Sequence, residues 1–178
     1  MAKTYTTVAD KSVGDVFTEA MWDDYIKTNV NNLIVPPSCR VYKAAAQSLT
    51  SGSDTAIQFD SERWDTDSMH DTVTNNTRIT ANTAGIYVIT GHAMFAANAT
   101  GIRAIYIRLN GSTRIAQQLM PSNSAGTDTA LSVATVYELA AADYVELMAV
   151  QTSGGALNVL QGGNYTPEFA AMWQGKSA

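Results

Sequence analysis

The chain has 178 residues, enough for one domain with a buried core and a short extension. Acidic residues outnumber basic ones by 16 to 11 and the formal net charge is -5, so the sequence lacks the basic excess with which nucleic-acid binders neutralise phosphates. We therefore expect no nucleic-acid partner. The single cysteine, Cys39, excludes an internal disulfide, and with only two histidines it cannot complete a structural zinc site.

The N-terminal segment does not have the pattern of a secretory leader, in which a basic stretch precedes an apolar one and a small-residue cleavage site. No stretch approaches the roughly 18 consecutive apolar residues that a membrane-spanning helix needs. We therefore expect neither secretion through a cleaved leader nor membrane insertion.

Residues 1–37 differ in pattern from the rest of the chain. In VGDVFTEAMWDDYIKTNVNNLIVPP, Thr18 is a predicted helix N-cap, because its hydroxyl can accept from an unpaired amide of the first turn and acidic residues follow it. Pro36 and Pro37 end the predicted helix, because Pro36 disfavours the α conformation at Val35 and neither proline has an N–H to donate.

The predicted helix is amphipathic. Its apolar positions follow at steps of four, four and three residues, and they form one face that a helix of about four turns cannot bury by itself. Two interpretations remain open: the helix packs back on its own domain, or it docks on another chain or on copies of itself. The candidate docking residues are Thr18, Trp22, Tyr25, Ile26, Val30 and Leu33.

From residue 38 onward the pattern becomes that of short strands. The segments SCRVYKAAAQSL and TAIQF are bounded by TSGSD and contain mostly neutral or β-favouring residues. In IRAIYIRLNG, alternation of Ile105, Ile107 and Leu109 leads directly into Asn110-Gly111. A type I′ turn needs positive φ at both central residues, which Asn and Gly tolerate, so a β-hairpin is predicted there.

Three further strands are predicted toward the C-terminus. The segment ALSVATVYELAAADYVELMAV alternates twice around a turn at residues 141–143, and EFAAMWQG forms a last strand. With no second helical pattern, residues 38–178 are predicted to be one all-β domain, a sandwich or jelly roll, and residues 1–37 its N-terminal arm.

The β region resembles the jelly-roll domains of the complement globular-head and tumour-necrosis-factor families. Four segments carry the resemblance in the family's order: NTRITANTAGIYVITGHAMF, IRAIYIRLNGSTRIA, LAAADYVELMAVQTSGG and FAAMWQG. Ala142 departs from the pattern, which usually has Gly before Asp-Tyr-Val. The resemblance implies a compact homotrimer, and it implies that Phe169, Met172 and Trp173 of the terminal strand help line the threefold axis.

The first of these segments predicts a strand, a turn and a second strand. On this resemblance Thr77 and Ile79 share a strand, and the four residues ending at Gly85 turn the chain. Ile86 and Val88 then enter the core. Gly85 is expected to supply backbone freedom that other residues lack.

The arm carries a second resemblance, to the openings of small virion proteins of tailed bacteriophages. In GDVFTEAMWDDYIKTNVNNL a helix with a central Trp precedes a β domain, as in those proteins. The resemblance implies a structural virion protein assembled in the host cytoplasm, with the major capsid protein or another virion protein as partner.

Residues that carry chemistry are few. DSERWDTDSMHD is interpreted as a solvated acidic loop, with a structural calcium site as an alternative, although Asp65 or His70 stands where a calcium loop needs glycine. His92 is interpreted as a core or interface histidine and Cys39 as a buried small apolar residue. The acidic cluster is Asp60, Glu62, Asp65, Asp67, His70 and Asp71.

The sequence is compatible with three functions. An enzyme is the least favoured, because no nucleophile or phosphate-binding motif is present, and we expect neither a cofactor nor a catalytic or metal site. A fibre-tip module could bind a host glycan or protein through the loops at 60–72 and 121–130. A trimeric capsid decoration, or cement, protein would dock through its arm, and the absence of aromatic residues from PSNSAGTD favours this function.

Overall fold

The computed structural model describes residues 3, 12, 14–123 and 125–176. The arm helix consists of an α turn at Glu19–Met21, a π-helical turn at Trp22–Lys27 and an α segment at Thr28–Ile34. No helix in the described part of the chain is long and apolar enough to cross a membrane. The strands are β1 (Ser38–Tyr42), β2 (Gln47–Leu49), β3 (Thr55–Ala56), β4 (Ser61–Asp65), β5 (Arg78–Thr80), β6 (Gly85–Phe95), β7 (Ile102–Leu109), β8 (Thr113–Pro121), β9 (Thr129–Leu139), β10 (Tyr144–Gln151), β11 (Leu157–Val159) and β12 (Glu168–Gly175).

The strands form two antiparallel sheets. The front sheet has seven strands in the order β2-β11-β6-β12-β1-β4, with β9 also paired to β6. The back sheet has five, in the order β3-β10-β7-β8, with β5 also paired to β10. β8 and β9 therefore lie along one side of the sandwich, and β4 and β5 lie along the opposite side. The predicted all-β jelly-roll sandwich, preceded by a short helix, is confirmed.

The core fills the space between the two sheets. Its larger side chains alternate along the strands with outward-facing ones, as the period of two in a β-strand requires. Phe59 stacks on Phe169 with ring centroids 5.9 Å apart. Cys39 belongs to this core at 1% exposure, which confirms its predicted burial. Desolvation, with the nearby Asp65 and Glu62 carboxylates, raises the pKa of its thiol.

Two turns contain residues with positive φ. In one turn the residue types favour this conformation, and in the other turn an alanine adopts it although its Cβ disfavours it. Asn110 and Gly111 have φ of 48° and 71°, so the predicted hairpin between β7 and β8 is confirmed. Ala142 has φ of 74° in the turn between β9 and β10, where its Cβ makes the left-handed region unfavourable. The Asp143 carboxylate accepts a hydrogen bond from the Ala140 N–H at 2.8 Å across this turn.

The chain turns between β5 and β6 as predicted. Ile79 lies in β5, but Thr77 ends the preceding turn one residue before that strand, so the prediction that the two share a strand is wrong for Thr77. Gly85 opens β6 with φ of 150°. A Cβ at this position would lie 2.2 Å from Trp173 Nε1 and 2.4 Å from the Gly175 carbonyl oxygen. The prediction that this position requires glycine is therefore confirmed, because both the positive φ and the close approach of the terminal strand exclude a Cβ.

The predicted facing of β6 is wrong by one residue. Ile86 and Val88 point outward, whereas Tyr87 and Ile89 are fully buried in the core. Tyr87 can be buried because its hydroxyl donates a hydrogen bond to the Thr83 carbonyl at 2.6 Å, which satisfies the polar end of the ring. The outward face of this strand is also apolar, and Val88 on that face lines a groove on the front sheet.

Candidate interaction surfaces

The arm helix begins at the predicted N-cap. Thr18 has an extended backbone, and its Oγ1 accepts a hydrogen bond from the Met21 N–H at 3.3 Å. Phe17 and Trp22 then meet edge to face, with ring centroids 6.3 Å apart. Val35 leaves the helical conformation, with φ of -124° and ψ of 75°, immediately before the two prolines, as predicted.

The middle of the arm helix is a π turn, and side chains supply part of its hydrogen bonding. The Thr28 hydroxyl donates to the Asp23 carbonyl at 2.7 Å, and the Asn29 amide donates to the Tyr25 carbonyl at 3.0 Å. Lys27 and Asp23 form an exposed ion pair at 3.2 Å. The apolar side chains of the helix take no part in these polar contacts, and several of them are exposed to solvent.

The predicted docking residues form an exposed apolar stripe, except that Thr18 caps the helix and Tyr25 is half-buried. In the described part of the chain, the β domain leaves this stripe exposed. What the stripe contacts stays a prediction. The exposed members are Trp22 at 50%, Ile26 at 37%, Val30 at 45% and Leu33 at 63%.

The root of the arm is fixed to the β domain. Thr66 Oγ1 donates to the Pro36 carbonyl at 2.7 Å, and the same oxygen accepts from the Ser38 N–H at 2.8 Å. The backbone N–H of Trp173 donates a hydrogen bond to the Pro37 carbonyl at 2.9 Å. The two prolines therefore connect a helix with an exposed stripe to a strand anchored in the front sheet.

A concave groove of about 600 Å³ lies on the outer face of the front sheet. Outward side chains of β1, β4, β6, β9 and β12 line it, and most are apolar or small. Val136 on the same face is 64% exposed, and Met172 and Trp64 are each 47% exposed. An exposed apolar patch of this kind is typical of a surface that another protein covers.

The groove contains one buried carboxylate. Glu168 is 6% exposed, and its two oxygens are bound by the guanidinium groups of Arg40 and Arg63, the latter at 3.0 Å. The Arg63 guanidinium also lies 4.0 Å from the centroid of the Tyr42 ring. Two cations around one anion satisfy the charge of Glu168 inside the protomer, so this group does not need a partner chain.

His92 lies directly opposite Glu168 in the ladder between β6 and β12. It faces the groove, half-buried, with its ring 6.3 Å from that of Tyr165. Among the described residues its buried Nδ1 has no hydrogen-bond partner. Desolvation lowers the pKa of His92, although the Tyr165 backbone and Glu168 act in the opposite direction. The structure therefore places His92 on the groove and not in the core.

The three terminal-strand residues expected at a threefold axis do not share one face. Met172 lies on the groove, whereas Phe169 is 1% exposed in the core and Trp173 is 5% exposed. Trp173 Nε1 donates to the Ala84 carbonyl at 3.2 Å. Because side chains alternate along a strand, Phe169 and Trp173 face inward together, and Ala170 joins Met172 on the outer face. Contact between protomers through Met172 stays a prediction.

The acidic segment is held by donors from the protein itself. Asp60 accepts from Lys43 Nζ at 2.9 Å, and Asp65 accepts from the His70 N–H at 2.9 Å. Glu62 Oε1 lies 3.0 Å from His70 Nδ1. Within the described ranges, no three acidic, His or Cys side chains are arranged so as to hold a metal ion.

These features define a jelly-roll β-sandwich whose front face is apolar and whose N-terminal helix is uncovered. The fold is similar to that of murine APRIL, with a TM-score of 0.60 at 10% identity over 78% of this chain and 98% of that chain. It is similar to the globular domain of the zebrafish complement 1qA protein, with a TM-score of 0.55 at 13% identity over 79% and 99% of the two chains. It is also similar to Eiger TNF from S. frugiperda, with a TM-score of 0.59 at 13% identity over 80% and 96%.

No protein-family model and no curated protein matches the sequence. At identities this low the structural likeness establishes the fold alone. Sequence reasoning missed most of the groove-lining residues, because their side chains come from five strands that are distant in the chain. The signal available was the apolar character of both faces of β6 and β12.

Proposed function

We propose that this chain is a structural virion protein of a tailed bacteriophage: a homotrimeric capsid decoration protein that docks through its N-terminal arm and has no enzymatic role. It is assembled in the host cytoplasm, and its partner is the major capsid protein or another virion protein. The observation that carries the proposal is the exposed stripe of Trp22, Ile26, Val30 and Leu33, on a helix whose root is fixed.

The homotrimer is supported by two unlike apolar surfaces on one protomer. The groove is concave, and across the sandwich edge β8 presents Leu119 and Met120 at 50% and 42% exposure. When two different surfaces of one chain bind each other head to tail, copies close into a ring if the rotation allows. We place the β8–β9 edge of each protomer in the groove of the next, with Met172 in the contact.

The arm proposal is tested by binding purified protein to undecorated capsids. Full-length protein, a form lacking residues 1–37 and the single variant Trp22→Ala are compared, with the mass of each recorded by light scattering. Trp22→Ala should weaken binding about thirtyfold or more, as loss of a central aromatic anchor does. Asp24→Ala is the matched control, because in the π turn its side chain is on the opposite side of the helix from Trp22.

Binding of the truncated trimer as tight as that of the full-length trimer would refute arm docking. Loss of the trimer in isolated Trp22→Ala would also count against it, because the arm would then be part of the protomer assembly. If both forms ignore capsids but bind host cells, the alternative applies: a receptor- or glycan-binding module of a tail or head fibre.

A further inference from the structure

A second concavity, of about 450 Å³, lies on the β4–β5 side of the sandwich, away from the β8–β9 edge. The loop that joins β4 to β5 forms much of its wall. Unlike the groove, this pocket is lined mainly by polar side chains. They include Ser68, Asp71, Thr74, Arg78, Thr80 and Asn82.

Arg78 differs from the other five arginines of the chain, because its guanidinium alone makes no hydrogen bond; all six lie in the described ranges. Its Nε is buried without a hydrogen-bond partner and lies 3.8 Å from the nearest oxygen of Glu146. The Tyr144 ring centroid is 4.0 Å from the guanidinium and holds it in place. The Arg78 side chain is 36% exposed and lines the pocket, so the donors it offers to a ligand are those of its two terminal nitrogens and not the buried Nε.

The surrounding wall is rigid. His70 is part of the wall, and its side chain is 0% exposed and bound to Glu62 at 3.0 Å. The Asn82 amide nitrogen donates to the carbonyls of Asp67 at 2.7 Å and Ser68 at 2.8 Å, which orients its remaining amide oxygen as an acceptor. The polar groups of the pocket are therefore positioned before any ligand arrives.

The acceptors of the pocket are also fixed. The Asp71 carboxylate accepts from two backbone N–H groups, of Val73 and Thr74, at 2.8 Å each. These two hydrogen bonds are the largest cause that holds the pKa of Asp71 below its ordinary value. Beside it, Thr80 offers a hydroxyl that makes no hydrogen bond to a described residue. A ligand that carries hydroxyl donors fits this side of the pocket.

We propose that this pocket binds a carboxylated sugar unit, such as a uronic or sialic acid of a surface glycan. The sugar carboxylate pairs with the Arg78 fork, and ring hydroxyls bond to Asn82, Thr80 and Asp71. The nearby carboxylates of Asp71 and Glu146 repel a multiply charged anion more strongly than a singly charged one. A sugar carboxylate therefore fits the pocket better than phosphate does. The volume lies within the range of ordinary ligand sites, roughly 300–1,000 Å³. The inference does not rest on arm docking.

The test is calorimetric titration of the full-length protein with glucuronic acid and with N-acetylneuraminic acid, beside glucose and inorganic phosphate. One of the two acids should bind saturably, and Arg78→Gln should weaken that binding roughly tenfold to a hundredfold, as loss of a charged hydrogen-bonding partner does. Arg114→Gln is the matched control and should leave binding within about twofold. Arg114 also stacks on a tyrosine, Tyr106 at 3.9 Å, but lies outside the pocket.

Arg78→Gln is expected to fold, because Glu146 keeps Arg108 at 2.8 Å and Thr77 at 2.9 Å. Thr80→Val is a second variant, nearly equal in shape, that removes only a hydroxyl; a loss of binding of about fivefold is expected. The proposal is overturned if neither acid binds saturably, if glucose binds as well as the acids, or if phosphate binds more tightly than both. Capsid binding by the arm is measured separately and is unaffected by these outcomes.

Discussion

The outer faces of the two sheets are finished differently. On the back sheet, Tyr106 and Met148 point away from the core yet are only 3% and 1% exposed. The Tyr106 hydroxyl is bound by Asp54, and the Arg114 guanidinium covers its ring at 3.9 Å. On the front sheet, by contrast, the groove leaves Met172 at 47% exposure. Polar side chains close the back face of each protomer, whereas the front face remains open.

Charge does not explain the difference, because each face has one buried glutamate beside two arginines. Glu168 on the front sheet is hydrogen-bonded by Arg40 and Arg63. Glu146 on the back sheet is hydrogen-bonded by Arg108, while Arg78 lies 3.8 Å away. The difference lies in the apolar residues of the two outer faces. On the back sheet, side chains of the protomer cover Tyr106 and Met148, whereas the front sheet has an exposed, concave apolar groove. The uncovered apolar area, and not the ion pairs, therefore distinguishes the front face, which is the face proposed to contact a second protomer.

The largest effect is expected from a charge placed in the groove. Met172→Glu would bury an unpaired carboxylate between protomers at a cost of about 2 kcal/mol or more, so the trimer should dissociate. Val73→Glu, at an 83% exposed position in the loop between β4 and β5 and outside the groove, should leave the trimer intact. Light scattering reports the mass, and a Met172→Glu protein that keeps the trimer mass would remove the groove from the interface.

The two buried glutamates give a paired test of intermediate size. Glu146→Gln and Glu168→Gln each leave two arginines without their anion, and each should lower the free energy of unfolding by about 1–3 kcal/mol. Denaturation in urea measures this loss. Only Glu168→Gln should also change the oligomeric mass, because it leaves Arg40, which lines the groove, without its anion. A change of mass in both variants would show that the two faces are not distinct.

A smaller effect is expected from acid. The folded state lowers the pKa of His92, so His92 contributes stability that is fully present above its unfolded pKa, about 6.5. This contribution is lost as the pH falls through the folded pKa, because the unfolded chain takes up the proton first. The thermal midpoint of the wild type should therefore fall more between pH 7.5 and pH 5 than that of His92→Gln. Equal slopes would contradict this role of His92.

The smallest effect is expected on the back face. Arg114→Gln removes a guanidinium that is 47% exposed, while Asp54 continues to hold Tyr106. The free energy of unfolding should change by about 0.5 kcal/mol or less, as is usual for exposed ion pairs and cation–π contacts. Urea denaturation at two salt concentrations would measure it. A loss several times larger would mean that this cover is needed for the protomer to fold.

Local features were predictable from the sequence, and the facing of strands was not. The cap at Thr18 and the hairpin at Asn110 depend on a few adjacent residues, and both are confirmed. The facing of β6 was wrong, because Ile86 and Val88 are as apolar as the core residues between them. When both faces of a strand are apolar, the period of two shows alternation but does not show which face is inside.

The same ambiguity affected the terminal strand. Phe169 and Trp173 are its large aromatic residues, and burial in the protomer core uses both of them. The loop at 60–72, predicted as a possible binding loop, does contribute Ser68 and Asp71 to the pocket at Arg78. The position of Arg78 against Tyr144 could not be predicted, because that ring comes from a distant strand. Long-range pairing created both sites, and a single sequence does not encode such pairing in any local pattern.

The root of the arm determines how the protein would respond to force. Thr66 and Trp173 donate hydrogen bonds to the carbonyls of the two prolines. The chain then continues directly into β1, which is hydrogen-bonded to β12 on one side and to β4 on the other. Hydrogen bonds in an antiparallel sheet run perpendicular to the strands. Tension along β1 therefore shears these two ladders together, so their bonds resist at the same time and do not open one by one from an edge.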